Sequence, residues 1–187
     1  KDGECFYYFY DAESGEHKAW SAVVPAYVPV PIGNKHGECA FSTLFVETVE
    51  TMRMTSLLDN FVRNKKFSMF VGNAGTGKTG IIQNYLQSLD KDADGIIAKN
   101  INMSFYTTSY TLQQELEAYI DKRSGSYFGP PMGKKMVFFI DDMNLPEIET
   151  YGTQNSIAFL TQQMQHGSVF DREDLGFRKE LVDIQYV

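Results

Sequence analysis

A glycine-rich turn at residues 72–79 constrains the fold of this 187-residue chain more than any other feature. Its sequence, Gly-Asn-Ala-Gly-Thr-Gly-Lys-Thr, fits the spacing G-x-x-x-x-G-K-[ST] at every defined position. A mainly apolar run at 67–71 precedes the turn, and apolar residues recur at helical spacing after it, between 81 and 89. A strand, a tight turn and a helix in this order predict a phosphate-binding loop in an α/β fold.

Each residue type in this turn has a physical role in binding phosphate. The glycines allow backbone conformations that a Cβ disfavours and let N–H groups approach phosphate oxygens. The Lys78 ammonium supplies a cation for the β- and γ-phosphates, and the Thr79 hydroxyl can ligate Mg²⁺. The predicted nucleotide-binding residues are Gly72, Asn73, Ala74, Gly75, Thr76, Gly77, Lys78 and Thr79.

A second apolar strand carries the carboxylate that such a site requires. Residues 136–140 are apolar throughout and are followed by Asp141. Ligands of parallel sheets bind at the carboxyl ends of the strands, so we expect Asp141 to support the metal ion. The alternative role for this residue is a helix cap without metal. With the glycine-rich turn, Asp141 predicts that the chain binds a nucleoside triphosphate with Mg²⁺.

The rest of the chain alternates between strand and helix patterns, which predicts a parallel sheet flanked by helices. Residues 124–133 contain glycines and prolines and are predicted to be a loop. Because the pattern stops within or just after a strand, we expect the subdomain to be incomplete at its C-terminus. The predicted helices begin near the capping residues 48–51, at a capping box of Thr111 and Gln114, and at 155, and further strands cover 96–103 and 181–187.

Residues 1–43 differ in composition from the rest. They contain an aromatic cluster at 6–10 and three prolines, Pro25, Pro29 and Pro31, whose spacing excludes a helix. We interpret this part as short strands and extended chain forming an N-terminal arm. The predicted organisation is an arm at 1–43 and a nucleotide-binding subdomain at 44–187.

Composition excludes several classes of protein. The chain has 17 Lys and Arg residues against 24 Asp and Glu residues, a formal net charge of −7. Such a balance argues against nucleic acid and anionic membranes as partners, because both favour a basic surface. No apolar run approaches the roughly 20 residues that span a bilayer. No N-K-x-D motif supports a small GTPase, and no arginine-rich lid supports a nucleotide kinase.

Several strings of residues resemble one known family. Besides the glycine-rich turn, they are Phe-Gly-Pro-Pro-Met-Gly-Lys-Lys at 128–135, Phe-Ile-Asp-Asp-Met-Asn-Leu-Pro at 139–146, Tyr-Gly-Thr-Gln at 151–154 and Leu-Val-Asp-Ile-Gln at 181–185. Together they resemble the dynein heavy chain, and more narrowly the third AAA+ module of an axonemal (ciliary) dynein. The resemblance covers nearly the whole chain.

The resemblance implies a module of a six-membered ATPase ring that moves along microtubules. In that setting the third module binds ATP or ADP with Mg²⁺ and regulates the motor cycle. The partners implied are the neighbouring AAA+ modules, the dynein intermediate and light chains, and microtubules through the parent chain. The implied location is cytoplasmic, in the axoneme of a cilium or flagellum.

The resemblance also implies roles for individual residues. Asn102 matches the polar residue that senses the γ-phosphate, although an asparagine that satisfies backbone groups at a strand end is an equal alternative. Val46 and Val49 lie where the adenine pocket begins. Asp142 occupies the position of the usual catalytic glutamate and is one methylene shorter. A displacement of about 1 Å can cost on the order of a hundredfold in rate, so we expect slow hydrolysis.

Four functions therefore compete at the level of sequence. The first is an ATPase module in which Asp142 orients the attacking water. The second is a site where nucleotide binds without hydrolysis and acts as a structural ligand. The third is a AAA+ module of a ring ATPase other than dynein. The fourth is an interaction piece that docks a partner through residues 1–43 and 124–133.

Overall fold

A computed structural model describes residues 4–29, 31–33, 44–89 and 93–187. The chain divides into two units. The first contains Lys1–Asn60 and Asn73–Tyr85, and the second contains Phe61–Gly72 and Leu86–Val187. The predicted boundary after residue 43 borders residues 34–43, which lie outside the described part.

The N-terminal part of the first unit is a small antiparallel hairpin. A 3₁₀ helix at Glu4–Tyr7 leads into strands β1, Tyr8–Asp11, and β2, Glu16–Ala19. Gly15 makes the turn at φ 72°, and the Phe9 ring lies 4.4 Å from the Trp20 ring, measured between centroids. A second 3₁₀ helix follows at Trp20–Ala22. The prediction of short strands in this region is confirmed.

Two helices flank the glycine-rich turn in the sequence. Helix α1, Val49–Arg63, begins where predicted: the Thr48 and Thr51 hydroxyls exchange hydrogen bonds with each other's backbone N–H groups, at 2.7 and 3.3 Å. Helix α2, Lys78–Ser88, begins at the lysine of the motif. Both helices therefore start at the residues that the local spacing indicated.

The second unit contains most of the regular structure. In chain order its elements are β3 (Ile96–Asn102), α3 (Ser109–Glu117), β4 (Asp121–Ser124), β5 (Tyr127–Gly129), β6 (Lys135–Asp141), α4 (Asn155–His166), β7 (Ser168–Phe170), β8 (Arg178–Leu181) and β9 (Ile184–Tyr186). Strands β3, β6 and β9 form the predicted parallel sheet, in the order β3-β6-β9.

The core of the second unit lies between this sheet and helices α3 and α4. The central strand β6 is buried on both faces, as expected for a parallel strand covered by helices, and Phe138 has no exposed surface. The buried residues that pack together are Ile101, Met103, Leu112, Leu116, Met136, Phe138, Phe159, Leu160, Val169 and Tyr186. The α/β fold with a parallel sheet flanked by helices is thus confirmed.

A second, mixed sheet in the order β4-β5-β8-β7 corrects two predictions. Residues 124–133 are not simply a loop, because β4 and β5 form a hairpin at its start and β5 pairs in parallel with β8. The predicted strand 181–187 is divided between the two sheets. Asp183, at φ 55°, turns the chain between β8 and β9. The segment predicted as one strand therefore contributes to two sheets.

Two local predictions also differ from the structure. The capping box of α3 consists of Thr108 and Thr111, three residues before the predicted pair, because Thr108 has the extended backbone of an N-cap and accepts from the Thr111 N–H. Residues 67–71 are not a regular strand. The Ser68 N–H donates to the Tyr186 carbonyl of β9 over 3.4 Å, but Met69 and Val71 are largely exposed.

Candidate functional site

The glycine-rich turn adopts the conformation that its sequence requires. Gly75 and Gly77 have φ values of 78° and 79°, in the left-handed region that residues with a Cβ seldom adopt. Residues 73–77 are exposed, and a Cβ added at either glycine would meet no atom within 4 Å. The glycines are therefore needed for backbone conformation rather than for space.

The side chain of Lys78 folds back over the turn. Its Nζ donates to the Asn73 carbonyl at 2.7 Å and to the Thr76 Oγ1 at 3.3 Å. The Thr76 hydroxyl donates to the same Asn73 carbonyl at 2.9 Å. These bonds join the two ends of the turn and hold a cation within it, beside the backbone groups that would meet a phosphate.

Helix α2 begins directly at this turn. The Ile81 N–H donates to the Gly77 carbonyl at 3.0 Å, so the first turn of the helix starts at the last glycine of the motif. The positive end of the helix dipole is therefore directed at the turn, and Thr79 is the second residue of the helix. A helix N-terminus, a lysine and left-handed glycines are groups with which proteins commonly bind anions.

In the second unit, two predicted residues meet at the carboxyl edge of the parallel sheet. Asn102 ends β3 and Asp141 ends β6, and the parallel register pairs these residues with each other. The Met103 N–H donates to the Asp141 carbonyl at 3.0 Å, which ties the two strand ends together. A carboxylate and an amide oxygen are ligands suited to Mg²⁺ and its water shell.

Asp142 has an uncommon backbone for an aspartate. Its φ is 55°, in the left-handed region, and its N–H donates to Oδ1 of Asp141 at 3.1 Å. The Asp142 side chain is exposed, and its carbonyl accepts from the Leu145 N–H at 3.0 Å. Left-handed backbone costs about 1–2 kcal/mol in residues with a Cβ, so the turn after β6 holds this carboxylate in a strained conformation.

The predicted site residues are distributed over both units. Residues 73–79 belong to the first unit, whereas Gly72, Asn102, Asp141 and Asp142 belong to the second. The structure brings Asn102 to Asp141 and joins the two ends of the turn through Lys78. Of the two residues assigned to the adenine pocket, Val46 is exposed and Val49 is half-buried.

The string at 128–135 has a structural role that the sequence did not indicate. A Cβ at Gly129 would lie 2.5 Å from the Val182 carbonyl oxygen and 3.2 Å from Nε of Arg123. Arg123 donates through Nε to the Pro130 carbonyl at 2.9 Å and through a terminal nitrogen to Asp183 at 2.7 Å. Glycine is therefore required because the hairpin and the β8–β9 link approach closely here.

Asp183 connects this region to the chain after α1. Its carboxylate accepts from Lys65 at 3.0 Å as well as from Arg123. The hydrogen bonds from Lys65 and Arg123 hold the pKa of Asp183 below its ordinary value. A charged residue inside the apolar run 181–187 was the signal in the sequence, since a polar group in such a run requires a partner.

A second polar cluster lies beside β8. Lys179 Nζ is 2.8 Å from both Glu117 and Asp171. Burial acts to lower the pKa of Lys179, but the hydrogen bonds with Asp171 and Glu117 outweigh burial and raise it. The Lys179 hydrogen bond, followed by the backbone N–H groups of Glu173 and Asp174, lowers the pKa of Asp171 to about 2. These charges brace α3 against the mixed sheet.

Comparison with known proteins identifies the family to which this chain belongs. A family model described as the P-loop containing dynein motor region matches residues 34–187. The chain belongs to this dynein family. The match includes the glycine-rich turn, the carboxyl edge of the parallel sheet and the strings at 128–135 and 181–185.

Individual relatives of the dynein family match over most of the chain. Dynein axonemal heavy chain 9 of Homo sapiens is 36% identical over 185 residues, 99% of this chain. The dynein-1-alpha heavy chain of the flagellar inner arm I1 complex of Chlamydomonas reinhardtii is 37% identical over 180 residues, or 96%. The flagellar outer-arm dynein beta chain of the same organism is 41% identical over 145 residues, or 78%. The chain spans only 3–4% of the length of these relatives.

Proposed function

We propose that this chain is a nucleotide-binding AAA+ module of an axonemal dynein heavy chain and corresponds to the third module of the motor ring. The observation that carries the proposal is the turn at 72–79, where two left-handed glycines lead directly into α2 and Lys78. Membership of the dynein family and the axonemal relatives support it. The strings at 128–135 and 139–146 favour the third module over its neighbours.

The residues of the proposed site have separate roles. The backbone of residues 72–77 and the Lys78 ammonium bind the phosphates of ATP or ADP. The Thr79 hydroxyl and the Asp141 carboxylate hold Mg²⁺, which would neutralise phosphate charge. Asn102 contacts the γ-phosphate and so distinguishes ATP from ADP. Its register with Asp141 at the strand ends supports this role.

We further propose that this module regulates the motor and hydrolyses ATP slowly. Asp142 stands where a glutamate commonly orients the attacking water, and its backbone is left-handed. Its shorter side chain reaches less far towards a water, and errors of about 1 Å can reduce rates on the order of a hundredfold. The second candidate is a site in which nucleotide is bound but not hydrolysed. Asp142 in place of the usual glutamate favours this candidate too.

The properties of the whole protein follow as proposals from this assignment. The parent chain would be a microtubule motor of the ciliary or flagellar axoneme. Its partners would be the neighbouring AAA+ modules, the intermediate and light chains, and microtubules. Residues 1–43 would form the arm leading from the preceding module, and 44–187 the nucleotide-binding subdomain. No helix in the described ranges is long and apolar enough to cross a membrane.

The deciding experiment is single-turnover hydrolysis of labelled Mg-ATP in the full-length protein, with its other nucleotide sites silenced. We expect slow formation of ADP that Asp142→Asn abolishes while ATP remains bound. Asp142→Glu is the matched variant, because restoring the missing methylene should accelerate hydrolysis. Bound ATP that is never hydrolysed, in the parent and in Asp142→Glu, would establish the non-hydrolysing site. Absence of nucleotide binding would contradict the proposed function itself.

A further inference from the structure

Gln185 is a buried polar residue in the middle of β9, with 6% of its surface exposed. Its Nε2 donates to the Phe61 carbonyl at 3.2 Å and to the Lys66 carbonyl at 2.5 Å. Phe61 lies in the last turn of α1, and Lys66 lies on the segment that connects α1 to the glycine-rich turn. A side chain of the parallel sheet therefore holds the segment that leads to the proposed phosphate site.

The acceptors of Gln185 occupy the end of a helix. The last carbonyls of any helix have no intrahelical donor and require partners from elsewhere. Lys65 leaves α1 with φ 53°, and the Lys66 N–H donates back to the Phe61 carbonyl at 2.9 Å. The Gln185 amide completes this C-terminal cap and joins the carbonyls on either side of the left-handed turn.

Neighbouring residues of the same short segment support the contact. Lys65 pairs with Asp183, the Phe67 ring lies 5.9 Å from the Tyr186 ring, and the Ser68 N–H donates to the Tyr186 carbonyl. The Ser68 bond is long at 3.4 Å, and residues 67–71 do not form a regular strand. In a regular strand, a ladder of backbone hydrogen bonds fixes the path of the chain. Here side-chain contacts help to fix the path of residues 66–72, and Gln185 makes the most buried polar contact among them.

We propose that Gln185 is a positioning residue for the phosphate-binding loop: by holding the carbonyls of Phe61 and Lys66, it determines where residues 66–72 run and where the loop begins. The inference rests on the proposed nucleotide binding and assigns a role to a residue that touches no nucleotide. Lys65–Asp183 acts as an exposed auxiliary contact on the same segment.

The test compares two equally buried glutamines of the second unit. Gln185→Met keeps the length of the side chain but removes its two hydrogen bonds. Gln113→Met is the matched control: Gln113 is 4% exposed, and its amide bonds Glu117, the Phe170 carbonyl and Arg172. Both variants lose buried hydrogen bonds, but only Gln185→Met loses bonds to the segment before the loop.

The first measurement is amide hydrogen exchange in the full-length protein without nucleotide. We expect Gln185→Met to accelerate exchange at residues 66–72 about tenfold, since each lost bond weakens closure of the segment. Gln113→Met should leave residues 66–72 unchanged and accelerate exchange near β7. Lys65→Met, a milder surface change, should accelerate exchange at 66–72 about two- to threefold. Unchanged exchange at 66–72 in Gln185→Met, or equal acceleration in both glutamine variants, would overturn the positioning role.

The second measurement is affinity for a fluorescent ATP analogue with Mg²⁺. Binding at this site is taken as the part of the signal that is lost in the Lys78→Ala variant. We expect Gln185→Met to weaken this binding about five- to tenfold and Gln113→Met to change it less than about twofold. Unchanged affinity in Gln185→Met, despite faster exchange, would also overturn the role. If the unmodified protein lacks this binding, the proposed function fails, whereas the exchange result still decides whether Gln185 holds the segment.

Discussion

The glycine-rich turn and the central strand β6 are built in opposite ways. Residues 73–77 are exposed, and Lys78 and Thr76 both donate to the Asn73 carbonyl within the turn. In β6, Phe138 and Val137 have at most 1% of their surface exposed, and the strand pairs with β3 on one side and β9 on the other. The turn thus depends on local backbone chemistry, whereas the strand depends on residues distant in sequence.

This difference determines how the two parts would contribute to the proposed function. A loop that takes its shape from glycines and a helix start can be recognised from eight residues, because its internal conformation is determined locally. Only the path of the chain that leads to it depends on distant residues such as Gln185. The carboxylate at the end of β6 requires the whole sheet to be in register before Asn102 and Asp141 meet. Substitution of the Lys78 side chain should therefore change binding with little effect on folding, and substitutions in the strand should do the reverse.

The largest expected effect is on the strand. Phe138→Ala removes a ring with no exposed surface that stacks 5.9 Å from the Tyr186 ring. We expect the free energy of unfolding of the second unit to fall by about 3–5 kcal/mol, because the cavity is enclosed on all sides. Denaturant unfolding measures this change. Phe170→Ala, at a half-exposed ring of β7, is the control and should cost far less; equal losses would break the comparison.

The next effect is on binding at the turn. Lys78→Ala removes a charge-assisted contact of about 1.5–3 kcal/mol and should weaken binding of Mg-ATP about ten- to a hundredfold. The free energy of unfolding should change by less than about 0.5 kcal/mol, as for ordinary surface substitutions. Calorimetric titration measures the affinity, and denaturant unfolding measures the free energy of unfolding. Lys122→Ala, at an exposed residue, is the control for both. A Lys78→Ala variant that loses stability but keeps its affinity for Mg-ATP would contradict the comparison.

A smaller effect separates backbone strain from helix propensity. Gly77→Ala forces an alanine to φ 79°, which should cost about 1–2 kcal/mol in stability and disturb the turn. Gly80→Ala is the matched change three residues later, within α2, where a Cβ meets nothing within 4 Å. There alanine should stabilise by about 0.5–1 kcal/mol. Thermal unfolding distinguishes the two signs, and the same sign for both would refute a conformational role for Gly77.

The smallest effect is the acid sensitivity of the second unit. The pKa of Asp171 is about 2, mainly because of the Lys179 hydrogen bond. A carboxylate with a lowered pKa stabilises the folded state above its ordinary pKa near 3.8, and this stabilisation is lost as the pH falls towards 2. Asp171→Asn should therefore flatten the decline in stability between about pH 4 and pH 2. Chemical unfolding across this range measures the slope.

Lys179→Met is the companion variant for this acid effect, because it removes the donor instead of the acceptor. It should flatten the same decline. A slope equal to that of the parent in both variants would mean that other carboxylates carry the acid sensitivity. Asp183 contributes to the same decline, since the hydrogen bonds from Lys65 and Arg123 lower its pKa as well.

Predictions from the sequence succeeded where a few neighbouring residues determine the structure. The glycine-rich turn, the start of α1 at Thr48 and Thr51, and the end of β6 at Asp141 all follow from local spacing. The capping box of α3 was misplaced by three residues, because in both pairs a threonine is followed three residues later by a side chain that can accept from a backbone N–H. Only the backbone of Thr108 distinguishes the two.

The tertiary structure alone decided the features that depend on distant partners. The pattern at 181–187 predicts one strand. In the structure the chain turns at Asp183, whose carboxylate pairs with Arg123 and Lys65. After this turn, Gln185 donates to carbonyls at the end of α1. The sequence by itself determined the chemistry of the turn and the α/β class, because periodicity and glycine spacing act over a few residues. The contact between β9 and the chain before the loop joins residues more than a hundred positions apart, and local spacing does not predict such contacts.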